Sequence, residues 1–276
     1  MKEVYFDTDV YAHIYRRVAP LTDKRVRQLE TAVRSDKIRI LSSAAVIEET
    51  VLAVLDSEKE ALARLQLIRR LAKRKRIIKS PDQILRGDIV AYSQNVKLPS
   101  HYISPPQDLI QVVVNGRAGY LETLHRKASD TQKRTDNFYV EINKAFRSSV
   151  ESAGTSKEST KQSFEDYWRE RSIPFVEQLA TSANVLDACK KRGLEGLLEV
   201  RSIRLVTVAQ LALGYAATGD LPVTEPEQSR YIQQAVIASA VDAFVTHDQW
   251  LADALRRVEV KDFQVIDLHT LLEVVS

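Results

Sequence analysis

Cysteine is nearly absent, since this chain of 276 residues contains a single one, Cys189. A single cysteine excludes an intramolecular disulfide and any zinc site built from several cysteines. Apolar residues make up 44% of the sequence, so a hydrophobic core can form without a disulfide or a structural metal. We therefore expect a protein that folds in a reducing compartment, and the cytoplasm is the location that fits.

Long apolar runs are missing as well. The most apolar segment, 203–217, includes Arg204 and Gln210 and is too short to cross a bilayer. The N-terminal residues lack the basic and then apolar pattern of a signal peptide. We expect no membrane partner.

Several familiar motifs are also absent. The sequence has no Gly-x-Gly-x-x-Gly, no phosphate loop and no His-Glu-x-x-His, so common nucleotide sites and a helical zinc protease site are not indicated. We find no internal repeat. The formal net charge is only +3, so the balance of charges does not by itself indicate a nucleic-acid partner.

Short strand-like segments alternate with helical patterns at both ends of the chain. We predict helices over 42–55, 57–76 and 249–257, and this alternation is typical of an α/β fold with a parallel sheet. The predicted strands, which are rich in strand-favouring residues, are 3–7, 37–41, 77–79, 242–246 and 263–266.

The middle of the chain has a different character. No strand is predicted between residues 81 and 220, where long charged and amphipathic helical segments dominate. A polar stretch, 152–163, is interpreted as a joint between helices. We therefore predict an α/β core formed by 1–80 and 222–276, with a mostly helical insertion, 81–221, between its two halves.

Three acidic residues lie at or near the predicted carboxyl ends of strands. Asp7 closes the first strand, Glu48 lies early in the helix after the second, and Asp248 follows the fourth. Ligands bind at this edge of parallel sheets. Carboxylates that converge repel one another unless a cation is present, and their hard oxygens suit Mg²⁺ or Mn²⁺.

Each acid also has an ordinary structural explanation. Asp248 is well placed to cap helix 249–257, and an acid after the first strand can cap the next helix. We assign that first cap to Asp9 and leave Asp7 as the metal ligand. Glu48 alone could be a solvent-facing helix residue, and we interpret its neighbour Glu49 as a surface residue. The joint pattern favours a site.

The candidate acids lie in segments with recognisable motifs, which are VYFDTDVY (4–11), ILSSAAVIEE (40–49), AVDAFVTHDQWL (240–251) and, at the end of the chain, FQVIDLHTLL (263–272). Together these four segments resemble the PIN domain, a family of metal-dependent ribonucleases, and Thr246 matches the family's Thr-x-Asp. The resemblance implies a PIN-like parallel sheet between helices and a nuclease, most simply an endoribonuclease. In such an enzyme Asp7, Glu48 and Asp248 hold Mg²⁺ or Mn²⁺, and metal-bound water attacks the phosphodiester.

The sequence departs from the family at a third acid, which usually begins the helix before DAFVT. Arg230 and Tyr231 match the end of that motif, which places Gln228 at the acid's position. Glu227 stands beside it and is a further candidate ligand. Asp9, Thr246 and Gln228 are candidates for accessory roles, such as orienting water.

A basic run near residue 70 is a candidate for contacts with phosphates, although such runs are usually solvated helix faces. The resemblance implies RNA, or single-stranded DNA, as the partner. A homo-oligomer is a further candidate assembly. Because small family members act as toxins paired with antitoxins, an antitoxin-type protein is a candidate partner as well. The residues of the run are Arg69, Arg70, Lys73, Arg74 and Arg76.

Two other functions fit part of the pattern. The missing third acid is compatible with a PIN-like module that binds nucleic acid or protein without cutting it. Asp7 and Asp9 also satisfy the Asp-x-Asp core of haloacid-dehalogenase-like phosphatases, in which the first Asp is a nucleophile. That second model leaves Glu48 without a role, and Tyr11 departs from the residue usual in those enzymes.

Overall fold

A computed structural model shows a mixed α/β fold, as the alternation of patterns predicted. It describes residues 2–18, 21–52, 57–104, 126, 133, 136–149, 162–217 and 225–275, and only the backbone at 58, 73–75, 225 and 226.

In the described residues, six strands form one sheet in the order β4-β3-β2-β1-β5-β6. Neighbouring strands are parallel except for β4, which is antiparallel to β3. The strands are β1 (Lys2–Phe6), β2 (Ile38–Ser43), β3 (Ala72–Ile78), β4 (Tyr102–Ile103), β5 (Ala243–Val245) and β6 (Gln264–Ile266).

Helices connect the strands and build the rest of the described structure. None of the helices described is long and apolar enough to cross a membrane. They are α1 (Thr8–Arg16), α2 (Asp23–Arg34), α3 (Ala44–Leu52), α4 (Glu58–Leu71), α5 (Pro81–Ser93), α6 (136–149), α7 (Phe164–Ser182), α8 (Leu186–Arg192), α9 (Leu194–Leu198), α10 (Arg201–Ala216), α11 (Glu225–Ala238), α12 (Gln249–Arg256) and α13 (Leu268–Val275).

Strand β1 occupies the middle of the sheet. The chain leaves it towards β2 and β3 on one side, and later returns as β5 and β6 on the other side. The carboxyl ends of β1 and β5 therefore form a topological switch point, the place where open parallel sheets bind ligands.

The sequence of β1 explains its central position. Val4, Tyr5 and Phe6 are at most 1% exposed, and a strand with both faces covered requires such an unbroken apolar run. Tyr5 also stacks on Phe244 of β5, with ring centroids 5.7 Å apart. The same burial extends through β5, whose three residues are all buried.

The structure differs from the sequence-based prediction in two places. The helix predicted over 57–76 ends at Leu71, and 72–78 forms β3 instead, because pairing with β2 outweighs the helix propensity of its Lys and Arg. Strand β4 was not predicted at all. It has two residues, too few to show a period in the sequence.

Strand β3 also runs out of register with β2. Ile40 pairs with Ala72 and Ser42 pairs with Ile77, so β3 advances five residues where β2 advances two. The additional residues belong to the basic run. A β-bulge of this kind lets β3 leave and rejoin the ladder.

The described helices of the predicted insertion pack on the sheet domain. Leu205, Val206 and Val208 of α10 are fully buried, and they belong to the same hydrophobic cluster as the strands. The division into core and insertion stays a prediction, and most of the predicted joint, 152–161, lies outside the described residues.

A buried polar contact joins α10 to α5 and to the segment just before β4. Asp88 of α5 is completely buried. His101, just before β4, donates from Nε2 to its two carboxylate oxygens at 2.9 and 3.0 Å, and Ser202 of α10 donates to Oδ2 at 2.5 Å. Three separate elements therefore depend on one carboxylate.

Candidate functional site

Asp7 lies at the carboxyl end of β1 and is completely buried. It is the N-cap of α1, with one carboxylate oxygen accepting from the backbone N–H of Thr8 at 2.6 Å. The other accepts from the hydroxyl of Thr246 at 3.1 Å. The cap assigned to Asp9 from the sequence was therefore wrong, because Asp9 lies inside the first turn of the helix.

Asp248 approaches the same place from the end of β5. It caps α12 through Oδ1, which accepts from the backbone N–H of Leu251 at 2.9 Å. Its own N–H donates to the hydroxyl of Thr246 at 3.0 Å. Thr246 thus bonds both acids, which brings Asp7 and Asp248 to one site as the sequence predicted.

The glutamate that joins these acids is Glu49. The hydroxyl of Thr8 donates to Glu49 Oε2, and repulsion from Asp7 contributes to the raised pKa of the Glu49 carboxyl. Its interpretation as a surface residue was wrong, because this half-buried side chain accepts from Thr8. Glu48 is half-buried as well, and its predicted ligand role stays a prediction. We propose Glu49 for that role, because it contacts Thr8 beside Asp7 and consecutive helical residues point about 100° apart.

A cation already lies among the carboxylates. Arg230 of α11 bonds Asp248 Oδ2 through Nη2 at 2.8 Å and approaches Asp9 Oδ2 with Nη1 at 3.4 Å. Burial lowers the pKa of Arg230, but the neighbouring carboxylates outweigh burial and raise it overall. The guanidinium therefore stays charged and partly neutralises the cluster.

A buried polar network near the acids has no motif in the sequence that indicates it. Tyr5 donates to Gln234 Oε1 at 2.8 Å, and its hydroxyl lies 3.2 Å from Ser43 Oγ. Among the residues that the structure describes, Tyr11 Oη and Gln234 Nε2 are buried and have no hydrogen-bond partner. The polar groups buried in this part of the core are therefore only partly satisfied.

The carboxyl groups of Asp7 and Glu49 have strongly shifted pKa values. Burial raises the pKa of Asp7 to about 6, and Arg230 and the bonds from Thr246 and Thr8 limit the rise. Burial and then repulsion from Asp7 raise the pKa of Glu49 to about 7. Arg230 alone therefore does not compensate this inner pair.

These shifts predict how stability depends on pH in the metal-free protein. The folded state binds protons on Asp7 more tightly than the unfolded state, so stability is lost as pH rises from about 4 to about 6. Asp7→Asn keeps the helix cap and removes the buried charge. We expect the variant's thermal midpoint to exceed the wild type's near pH 8, by about 2–4 °C for each kcal/mol of relief, and less so near pH 4.

Thermal melts by circular dichroism across that pH range measure this difference. Asp253→Asn, which changes an exposed acid of α12, serves as the matched control and is expected to leave the pH dependence unchanged. A difference between Asp7→Asn and wild type that is constant from acid to alkaline pH contradicts the prediction.

Gln228 is connected to the described part of the predicted insertion. Gln228 accepts a hydrogen bond from the hydroxyl of Tyr139 on α6, and it is half-buried. Glu227 is exposed, and its candidate ligand role stays a prediction. The first turns of α11 therefore bond α6 through Gln228 and the carboxylates through Arg230.

The basic run divides between two elements. Arg69 and Arg70 lie in the last turn of α4, and Arg70 pairs with Glu30 at 3.0 Å. Arg76 is exposed on β3. The side chains of Lys73 and Arg74 lie outside the described residues, so their contacts with phosphate stay predictions.

The chemistry of the donors fits a hard divalent cation. The side chains offer carboxylate oxygens, the ligands that Mg²⁺ and Mn²⁺ prefer, and a guanidinium already takes a cation's place between Asp9 and Asp248. Within the residues that the structure describes, no three His, Cys, Asp or Glu side chains are placed to hold a metal together. In the structure, the guanidinium of Arg230 supplies the positive charge beside Asp9 and Asp248.

Comparisons with known proteins do not assign the chain to a family. No family model matches it, and no curated protein or solved structure shows significant similarity to it. The geometry of the site and the motifs of the sequence are therefore the observations that support a function.

Proposed function

We propose that the protein is a PIN-like nuclease that hydrolyses phosphodiester bonds, with RNA as its substrate and Mg²⁺ or Mn²⁺ as its cofactor. One observation carries the proposal. Carboxylates that follow three parallel strands, β1, β2 and β5, gather at the switch point of the sheet. This is the position at which α/β folds bind ligands, and the order of the motifs is that of the PIN family.

Asp7, Glu49 and Asp248 are the residues that would hold the metal. A divalent cation bound there supplies positive charge for a phosphate and activates water. Thr246 and Thr8 fix the carboxylates through their hydroxyls. Such preorganised supports matter, because reacting groups lose much of their effect when they are misplaced by about 1 Å.

Two observations bear on the alternatives. The bonds of Arg230 to two acids, together with the lack of a three-residue metal group in the described chain, favour a PIN-like module that binds without cutting. The phosphatase model needs Asp7 as a nucleophile. Both Asp7 oxygens accept hydrogen bonds, and these bonds make the carboxylate a weaker nucleophile.

The test is a cleavage assay with labelled single-stranded RNA and DNA, in Mn²⁺, Mg²⁺ or EDTA. We expect RNA cleavage by the wild type with either metal, loss of about 100-fold or more in Asp7→Asn, and no loss in Asp253→Asn. If the wild type cleaves neither nucleic acid, or Asp7→Asn cleaves equally well, the nuclease proposal fails. Binding of RNA without cleavage supports the non-catalytic module instead.

A further inference from the structure

Arg230 bonds the two outer carboxylates of the site. Asp9 is 48% exposed and Asp248 is 12% exposed, and the guanidinium between them is 30% exposed. These acids come from opposite sides of the switch point, one after β1 and one after β5. The arginine side chain therefore lies between the two outer carboxylates and is itself partly exposed to solvent.

The hydrogen bonds of Asp248 restrict how a metal can reach it. Oδ1 accepts from Leu251 and caps α12, while Oδ2 accepts from Arg230. Loss of the cap costs about 1 kcal/mol. Oδ2 is thus the oxygen that a metal can take without uncapping the helix, and a guanidinium and a dication on the same oxygen repel each other.

The carboxylates of the site outnumber the guanidinium of Arg230. Four carboxylates lie close enough to Arg230 to act on it, those of Asp7, Asp9, Glu49 and Asp248. Thr8 donates to both Asp7 and Glu49 and holds this inner pair side by side. A cation of higher charge and smaller size reduces the repulsion among these carboxylates further than a guanidinium can.

We propose that Arg230 is a removable counter-ion, which competes with the divalent cation for Asp248 and must leave its carboxylate before the metal binds. The inference depends on the proposed metal-dependent function. Arg230 is here a positioning residue, because it acts on the carboxylates and contacts no reacting atom. The Arg230–Asp248 bond and the binding of the metal are coupled equilibria, so each weakens the other by the same factor.

The test measures metal binding instead of activity. Purified wild type and Arg230→Gln are titrated with Mn²⁺ alone, and free Mn²⁺ is followed by electron paramagnetic resonance. We expect Arg230→Gln to bind Mn²⁺ about 5–150-fold more tightly, the range of typical coupling between sites. Without metal, we expect the thermal midpoint of Arg230→Gln to fall below that of the wild type. Saturating Mn²⁺ is expected to raise the variant's midpoint by more than it raises the midpoint of the wild type.

Two further variants control the experiment. Arg230→Lys keeps a positive charge but not the planar fork, and we expect an intermediate affinity. It also keeps the test informative if Arg230→Gln folds poorly. Arg169→Gln removes an arginine that pairs with two exposed acids, Glu165 and Asp166, and is expected to match the wild type.

The outcomes separate this inference from the proposed function. If the wild type binds Mn²⁺ and the two Arg230 variants bind it equally or more weakly, the counter-ion model is wrong and the metal site stands. If neither the wild type nor any Arg230 variant binds Mn²⁺, the metal-dependent function fails and takes the counter-ion model with it. Tighter binding by the Arg230 variants supports the model whether or not the wild type cleaves RNA.

Discussion

Glu49→Gln is expected to lower Mn²⁺-dependent RNA cleavage by about 100-fold or more, while Glu48→Gln stays within a few fold of the wild type. The two residues are adjacent in α3 and chemically identical. Glu49 accepts from Thr8, and the charge of Asp7 acts on its carboxyl. Replacing it with Gln removes a carboxylate from the cluster and leaves the shape of the side chain almost unchanged.

Single-turnover cleavage at saturating Mn²⁺, and again over a range of Mn²⁺ concentrations, measures this contrast. A loss in Glu49→Gln that higher Mn²⁺ restores identifies a metal ligand, and a loss at all concentrations identifies a role in the reaction itself. Because Glu48→Gln makes the same chemical change one residue away, it is the matched control. Equal losses in the two variants, or a larger loss in Glu48→Gln, would show that the sequence-based choice of Glu48 was right.

Asp88→Ala is expected to cost about 3–5 kcal/mol of unfolding free energy, the range for removing one partner of a buried pair. The substitution leaves His101 and Ser202 without the carboxylate that they both bond in the core. It also opens a small cavity beside α5. Helix α10 loses its buried polar contact with α5 and with the segment before β4.

Urea denaturation followed by circular dichroism measures this loss. Asp82→Ala is the control, because Asp82 is exposed in the first turn of the same helix, and we expect it to cost at most about 1 kcal/mol. A wild-type-like midpoint for Asp88→Ala contradicts the prediction. A separate early transition for α10 would instead show that the two parts unfold independently.

The strands at the two ends of the chain could be predicted because each consists of a short buried apolar run. The segment predicted over 3–7 became Lys2–Phe6, and that over 242–246 became Ala243–Val245. Asp7 and Asp248 follow from these strands, since an acid just after a parallel strand is placed at one edge of the sheet. Their positions were therefore predictable from residue order alone.

The remaining parts of the site depend on rotation and on distant contacts. The choice between Glu48 and Glu49 depends on how α3 turns on the sheet, and one residue changes that direction by about 100°. Arg230 stands at the end of a motif, but nothing in the sequence places its guanidinium beside Asp9 and Asp248. The network of Tyr5, Ser43 and Gln234 joins positions far apart in the chain, and no local pattern marks it.

The displaced register of β3 has a consequence for solubility. Strand β4 pairs only with Ile77 and Ile78, so within the described residues no strand covers the edge of β3 before Arg76. Uncovered edges invite pairing with strands of other molecules, and closely spaced positive charges oppose that pairing. Arg76, which is exposed on β3, therefore protects this edge against aggregation whether or not it also touches a nucleic acid.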